Sequence, residues 1–285
     1  MANVEHLALL VSGAIAWIEW RAKNPDVEID LSAANLQSAN LRGRNLSQVN
    51  LRGANLSSVL AIASNLASAN LSTADLTLAL LIEANLIAAN LSLANLRGAN
   101  LKGAILKEAL LIGTDLRSVN LINADLEGAN LMGADLSTAI LKAADLSAAK
   151  LVQVNLREAN LTDAHLSHAD CSYANFSGAE LNSAYLYKAL LTQANLEEAH
   201  LSKAYMLSAN LSNAQLTQAD LRWTNLSKAN LAGANLSNAN LRGANLYKAN
   251  LTGAKLSNTN LRGANLQGAT LSDRLELDIL GAKID

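Results

Sequence analysis

Leucine recurs at every fifth residue over most of this chain. With that leucine as the centre of a five-residue unit, 49 units follow one another from residue 31 to residue 271 without an insertion, and 45 centres are leucine. The other four centres are Ala61, Cys171, Phe176 and Met206. Alanine stands two residues before the centre in 39 units, and Asn or Asp usually lies between the two. Because residues two apart share a face of extended backbone, each unit is predicted to bury its leucine and alanine.

Of the 15 glycines, 13 stand two residues after the centre of a unit. Glycine adopts turn conformations that are strained for other residues, so this position is predicted to be a corner. A chain that alternates a short extended segment with a corner, with its apolar residues facing inward, must wind into a coil. The strict period of five argues against amphipathic helices, which need a period near 3.6. The pattern therefore predicts an all-β solenoid with a core of stacked leucine and alanine.

The five-residue repeats ANLRG, ADLEG, ANLSN and ADLST resemble the A(N/D)LXX motif of the pentapeptide repeat family. The resemblance covers about residues 31 to 273. It implies a right-handed quadrilateral β-helix with four units per coil, so that 49 units make about 12 coils. Residues that recur at a spacing of 20, such as Tyr185 and Tyr205, agree with this register. The opening AWIEWRAKNPDVEIDLSAANL is also similar to stand-alone cyanobacterial members of the family, most of which have no assigned biochemical role.

The two ends of the chain depart from the repeat. Helical spacing predicts a helix over residues 4 to 22, started by Asn3 and stopped by Asn24-Pro25, that lies over the first coil. Trp17 is expected beside its apolar stripe, which comprises Leu7, Leu10, Val11, Ala14, Ile15 and Ile18. We thus predict an N-terminal helical cap (1–30), a β-helix (31–273) and a C-terminal tail or cap (274–285), whose LELDI segment could cover the last coil or pair two chains into a homodimer. A membrane anchor is the alternative for the helix.

Four further residues are interpreted as structural. Arg44 occupies an alanine position, so we expect it to turn toward the N-terminal end and pair with Glu28 or Asp30, because an unpaired buried charge is costly. Ser64 takes the equivalent position one coil later. Phe176 and Cys171 occupy leucine positions, and Cys171 is interpreted as a small buried hydrophobe.

Composition argues against catalysis and against a membrane protein. The formal net charge is -2, no apolar run of about 18 residues is present, and the single cysteine excludes an internal disulfide framework. The residues before the N-terminal apolar stretch carry no Lys or Arg, so a secretion signal is not favoured and a cytoplasmic location is predicted. Glu180, His200 and Asp220 would form a ladder at a spacing of 20, interpreted as solvated charges. We predict no enzyme activity, no cofactor, no metal site and no catalytic residue.

The register of 20 assigns outward residues to four faces. The face centred on Leu36, Leu56 and Leu76 carries only polar or charged outward residues. The other three faces carry stacked apolar clusters, and contiguous apolar patches tend to mark interfaces. Tyrosine is a frequent interface anchor, so the cluster that contains the tyrosines is the preferred contact with an unidentified protein partner. The clusters are Leu60, Ile62, Leu80 and Ile82; Leu110, Ile112, Met132 and Val152; and Tyr185, Tyr187, Tyr205 and Leu207.

Charge is uneven along the chain. Residues 108 to 198 contain 12 acids and 5 bases, whereas residues 221 to 270 contain 6 bases and no acid. Arg222, Arg242 and Arg262 would form a ladder of like charge and are a candidate anion contact, although nucleic acid is not the favoured partner. We predict a non-enzymatic rigid rod that presents surface to another protein. The alternative implied by the family resemblance is a DNA mimic that binds a type II topoisomerase (gyrase), which the weakly acidic middle and the basic C-terminal part disfavour.

Overall fold

The computed structural model describes residues 2–272, which fall into two compact units, one reaching to Asp135 and one starting at Leu136. Two helices, α1 (Val4–Val11) and α2 (Ala14–Lys23), open the first unit. The rest of both units is a solenoid of five-residue steps. Its β-structure consists, in the described part of the chain, of single-residue parallel bridges rather than longer strands.

A constant offset of 20 residues relates the bridged positions in each unit. The bridges run from Asp30↔Asn50 to Asp115↔Asp135 in the first unit and from Ile140↔Asn160 to Asn250↔Thr270 in the second. One coil of each solenoid therefore takes four units of the repeat. The bridging residue is always the one before the central residue of a unit, and it is usually Asn or Asp.

The unit around Leu161 shows how backbone hydrogen bonds build a coil. The Leu161 N–H donates to Glu180 O at 2.7 Å and the Asp163 N–H donates to Asn182 O at 3.0 Å, both in the next coil. Within the unit, the Ala164 N–H donates to Leu161 O at 3.0 Å and closes a four-residue turn. Because these bonds satisfy the backbone at each step, the polypeptide can turn every five residues without leaving buried amides unpaired.

The asparagine or aspartate at the bridge position supports the corner that follows. In the unit around Leu56, the Asn55 side-chain oxygen accepts the Ser57 N–H at 3.1 Å and the Ser57 hydroxyl at 2.7 Å. Asn and Asp make this short local bond readily, which explains their preference at this position. Some of these amides also bond between coils, as Asn250 Nδ2 does to Asn230 Oδ1 at 3.2 Å.

The core of each unit is the predicted column of leucine and alanine, nearly all of it inaccessible to water. Cys171, Phe176 and Met206 replace leucine at the centre and are fully buried. Burial raises the pKa of the Cys171 thiol far above its usual range, so the thiol stays protonated. Ser64 is buried at an alanine position, where its hydroxyl donates to Ala61 O at 2.7 Å.

The N-terminal segment differs from the single helix expected over residues 4 to 22. It breaks at Gly13, whose φ of 132° lies outside the conformations that other residues adopt easily. The buried residues are His6, Leu10 and Trp17, so the expected apolar stripe is wrong at four exposed residues, Val11, Ala14, Ile15 and Ile18. The break lets α2 present Trp17 to the coil, where its indole N–H donates to Asn45 O at 2.8 Å.

The expected ion pair of Arg44 is also wrong. Arg44 is buried, but within residues 2–272 its guanidinium has no acidic partner, and its Nε atom is enclosed without a hydrogen-bond partner. Asp30 instead accepts the Ser32 N–H at 2.9 Å and the Asn50 amide at 3.0 Å. The hydrogen bonds from Ser32 lower the pKa of Asp30. The carboxylate is thus held by local partners instead of reaching toward Arg44.

Candidate functional site

The second unit carries a column of aromatic rings on one face. Tyr185 and Tyr205 are bridge partners in successive coils, and their ring centroids are 6.4 Å apart. Tyr187 stands on the same face, with its ring 6.5 Å from that of Tyr205. Tyr185 is 47% exposed, whereas the other two tyrosines and Leu207 are half-buried. The structure thus gathers the predicted tyrosine cluster into one continuous surface.

Two histidines extend this column, although the sequence pattern did not assign them to it. The His165 ring lies 4.8 Å from that of Tyr185, and the His168 ring meets that of Tyr187 edge-on at 5.3 Å. The Lys188 ammonium lies 5.1 Å from the centroid of the Tyr187 ring. The signal that could have found His165 is its bridge register, since residues 165, 185 and 205 are spaced by 20. We call these five rings, of His165, His168, Tyr185, Tyr187 and Tyr205, the aromatic column.

The remaining apolar clusters are aliphatic and differ in exposure. Leu60 and Leu80 are bridge partners in the first unit, and both are half-buried, as are Ile62 and Ile82. Leu110, Ile112 and Met132 are exposed in the first unit, while Val152 is half-buried in the second. The repeat pattern did not single out Leu78 and Leu93, which project from corners and are more exposed than any of these.

The three arginines of the predicted ladder differ in their partners. They stand at one position of three successive coils in the second unit, since Asp220, Asn240 and Asn260 just before them are bridged in turn. Arg222 forms an ion pair with Asp220, at 2.6 Å between Nη2 and Oδ2. Arg242 and Arg262 have no acidic partner in the part of the chain that the structure describes. The candidate anion contact therefore retains two free cations out of three.

The Asp220 carboxylate is fixed as an anion by this pair. Partial burial raises its pKa, but hydrogen bonds from the Arg222 guanidinium and backbone N–H outweigh that effect and leave the pKa below its usual range. Glu180 and His200 of the neighbouring ladder positions lie 3.9 Å apart with half of each side chain exposed. At such exposure an ion pair contributes little to stability, which agrees with the interpretation of Glu180 and His200 as solvated charges. Asp220, the third member of that ladder, is instead paired with Arg222.

No cluster suited to a metal ion and no membrane-spanning helix is found in the described chain. Within residues 2–272, His, Cys, Asp and Glu side chains do not gather in groups of three that could hold a metal. Neither α1 nor α2, the two helices of that range, has the length and apolar content to cross a bilayer. The LELDI segment and the proposed C-terminal pairing of two chains lie outside the described residues.

Comparisons with known proteins agree with the repeat pattern. Eight stretches of the chain match the sequence model of pentapeptide repeats, at residues 29–59, 62–98, 99–137, 139–170, 159–197, 179–222, 219–258 and 244–273. HetL, a pentapeptide repeat protein involved in heterocyst differentiation regulation from the cyanobacterium Nostoc sp. strain PCC 7120, is 34% identical. The match covers 87% of this chain and 94% of HetL, with a TM-score of 0.47.

Two further solved structures are similar over shorter parts of the chain. Rfr23, a pentapeptide repeat protein from the cyanobacterium Cyanothece 51142, is 34% identical over 40% of this chain and 64% of its own, with a TM-score of 0.22. QnrB1, a plasmid-mediated fluoroquinolone resistance protein, is 19% identical over 67% of this chain and 91% of its own, with a TM-score of 0.46. Curated protein sequences gave no match.

Proposed function

Because the chain belongs to the pentapeptide repeat family, we propose that it is a non-enzymatic solenoid that presents a surface to a protein partner. We further propose that the coils form a right-handed quadrilateral β-helix of about 12 turns over residues 31–273, capped by the helical segment 1–30. The contacts of Trp17 with Asn45 and of Arg21 with Ser47 O, at 2.8 and 3.1 Å, support a capping role for α2. We assign the protein to the cytoplasm.

The aromatic column carries this proposal. Tyrosine offers a large, rigid and amphipathic contact area. The five rings lie in tilted and edge-on contacts and give a patch that is continuous over neighbouring coils. The rigid backbone of the solenoid holds these rings in place, so little conformational entropy is lost when a partner binds.

The Tyr205→Asp variant tests this surface. Asp is a regular residue at the bridge position, as in Asp220, so the substitution removes a ring without disturbing the repeat. Tyr173→Asp is the matched control, because Tyr173 is an exposed tyrosine of the same unit that stands on a corner outside the column. The wild type and both variants serve as bait in a lysate of source cells, after circular dichroism has shown that each is folded.

We expect to capture a partner protein with the wild type and with Tyr173→Asp, but not with Tyr205→Asp. A partner bound equally by all three proteins would move the contact to another face. A type II topoisomerase recovered equally by all three would favour mimicry of DNA by the acidic residues between 108 and 198. Loss of the partner from Tyr173→Asp as well would show that the effect is not specific to the aromatic column.

A further inference from the structure

The last part of the second unit is rich in basic residues. Residues 221–272 contain six bases and no acid: Arg222, Lys228, Arg242, Lys248, Lys255 and Arg262. All six side chains are exposed. Asp220 is the acid nearest in sequence before this stretch, and its charge is already engaged by Arg222. Arg242 and Arg262 repeat the position of Arg222 in the next two coils, whereas Lys255 lies on the polar face centred on Leu36 and Leu56. An anionic ligand at the two arginines would meet no carboxylate of residues 221–272.

Trp223 lies beside these cations and is 57% exposed. It projects from a corner, and its indole packs over Gly243, the corner residue one coil later. A side chain at position 243 would collide with the ring atoms Cε3 and Cζ3, so glycine is what allows the indole to lie against the backbone. Arg242 immediately precedes that glycine. The indole therefore lies against the backbone of the residue that follows Arg242, and Arg242 is exposed and has no acidic partner within residues 2–272.

Tyr247 provides a second ring in the same region. It stands one coil beyond Ser227, and the Lys248 ammonium lies 5.0 Å from the centroid of its ring. Aromatic rings interleaved with cations are the combination that binds single-stranded nucleic acids, because bases stack on the rings and phosphates pair with the cations. An acidic peptide would use the cations but would gain little from an exposed indole. A duplex keeps its bases inside the stack and would not use the ring either.

We propose that this surface binds single-stranded nucleic acid, with a base stacked on the indole of Trp223 and phosphates held by Arg242 and Arg262. The aromatic column at residues 165–205 takes no part in this contact, so the inference does not depend on the proposed protein partner. The affinity of the surface for single-stranded nucleic acid is expected to fall as the salt concentration rises, since phosphate contacts release counterions.

Fluorescence anisotropy of a labelled oligothymidylate of about 20 nucleotides, titrated with the full-length protein at about 50 mM salt, measures the contact directly. The double variant Arg242→Ala/Arg262→Ala is expected to weaken binding by roughly tenfold or more and to reduce the slope of log K against log salt by about 1.4. Arg97→Ala is the matched control. Arg97 has the same local setting, with its N–H donated to Asn95 Oδ1 as that of Arg242 is to Asn240, but it lies in the first unit.

Asp220→Asn is the complementary variant, because it frees the Arg222 guanidinium. Asn stands at the same place before Arg242, where its side-chain oxygen accepts the arginine N–H at 3.2 Å, so the corner tolerates the change. We expect tighter binding, by about threefold, from the additional free cation. A merely structural role of the basic residues would not predict a gain of affinity.

Trp223→Ala and Trp223→Phe separate stacking from charge. The alanine variant is expected to lose roughly tenfold in affinity, and phenylalanine should restore most of it, since base stacking tolerates any aromatic ring. Absence of binding by the wild type at low salt overturns the proposal. So does equal binding of a duplex, an unchanged affinity of Trp223→Ala, or a loss in Arg97→Ala as large as that in the double arginine variant.

Discussion

At the scale of the residue, the corners show a conformation that most of their side chains do not prefer. Every corner from residue 33 to residue 268 has a positive φ, and 35 of these residues are not glycine while 13 are. A left-handed conformation costs an L-residue on the order of 1 kcal/mol. At most corners a hydrogen bond from the corner N–H to the next coil, such as that of Asp163 to Asn182 O, offsets this cost. Glycine therefore located the corners in the sequence, but it could not reveal that non-glycine corners adopt the same backbone.

Corner side chains also lean onto the corner one coil later. Leu78 packs over Gly98, Leu93 packs over Gly113 and Trp223 packs over Gly243. In these pairs the large residue comes first and the glycine follows 20 residues later. The glycine of such a pair thus has two roles, since it relieves the backbone strain and makes room for the side chain above it.

Gly243→Ala and Gly253→Ala separate these two roles. Both glycines have a φ near 68°, but nothing lies within 4 Å of a Cβ at position 253, whereas the indole of Trp223 occupies that place at position 243. We expect Gly253→Ala to lower the free energy of unfolding by about 1 kcal/mol. Gly243→Ala should cost roughly 1 to 2 kcal/mol more, because the indole must shift.

Urea unfolding followed by circular dichroism measures both changes. In the background of Trp223→Ala, the additional cost of Gly243→Ala should disappear and the two glycine positions should become equivalent. If Gly243→Ala and Gly253→Ala cost the same in the wild-type background, the indole does not restrict position 243.

At the scale of the element, the N-terminal segment shows where periodicity misleads. A single helix aligns Leu7, Val11, Ile15 and Ile18 on one stripe, and no count of apolar spacing reveals that Gly13 breaks that stripe. The packing of α2 on the coil is instead determined by tertiary contacts, namely the burial of the Trp17 indole and its hydrogen bond to Asn45 O. The same holds for Arg44, because its position predicted burial correctly but could not predict that it pairs with no acid of residues 2–272.

Trp17→Ala and Ile15→Ala distinguish the predicted stripe from the observed packing. Trp17 is fully buried and Ile15 is 74% exposed. Trp17→Ala should therefore destabilise the N-terminal segment by about 3 to 5 kcal/mol. Ile15→Ala should change stability by no more than about 0.5 kcal/mol. Native-state hydrogen exchange of the amides in α1 and α2 is the suitable measurement, since the segment can open without unfolding the solenoid. A larger loss of protection from Ile15→Ala would support the single-stripe helix instead.

At the scale of the whole molecule, the repeat makes the position of a residue on the surface readable from its number. The offset of 20 brings Tyr185 to Tyr205 and aligns Arg222, Arg242 and Arg262, and both arrangements follow from the sequence alone. The details that decide function do not follow from it. Rotamers set the contacts of His165 and His168 with the tyrosines, and the pairing of Asp220 with Arg222 determines which cations remain free. The 20-residue register predicts which residues are neighbours in successive coils, whereas the side-chain conformations determine which of these neighbours are in contact.

The same register predicts which deletions the second unit tolerates. Removing residues 161–180 deletes one coil and joins Asn160 to Leu181, which recreates a regular unit and lets residues 141–160 pair with residues 181–200. Because each coil contacts only its neighbours, we expect the β-sheet circular dichroism to remain and the melting transition to stay cooperative.

Removing residues 163–180 is the matched control, since it deletes nearly as much core but leaves two extra residues, Leu161 and Thr162, between the flanking coils. Every later residue then stands two positions out of register, and leucines meet corners in the next coil. We expect this variant to lose cooperative melting and to expose apolar surface, which binding of a hydrophobic dye would detect. If both deletions fold equally well, the coil does not require four units per turn, and the assignment of residues to faces loses its basis.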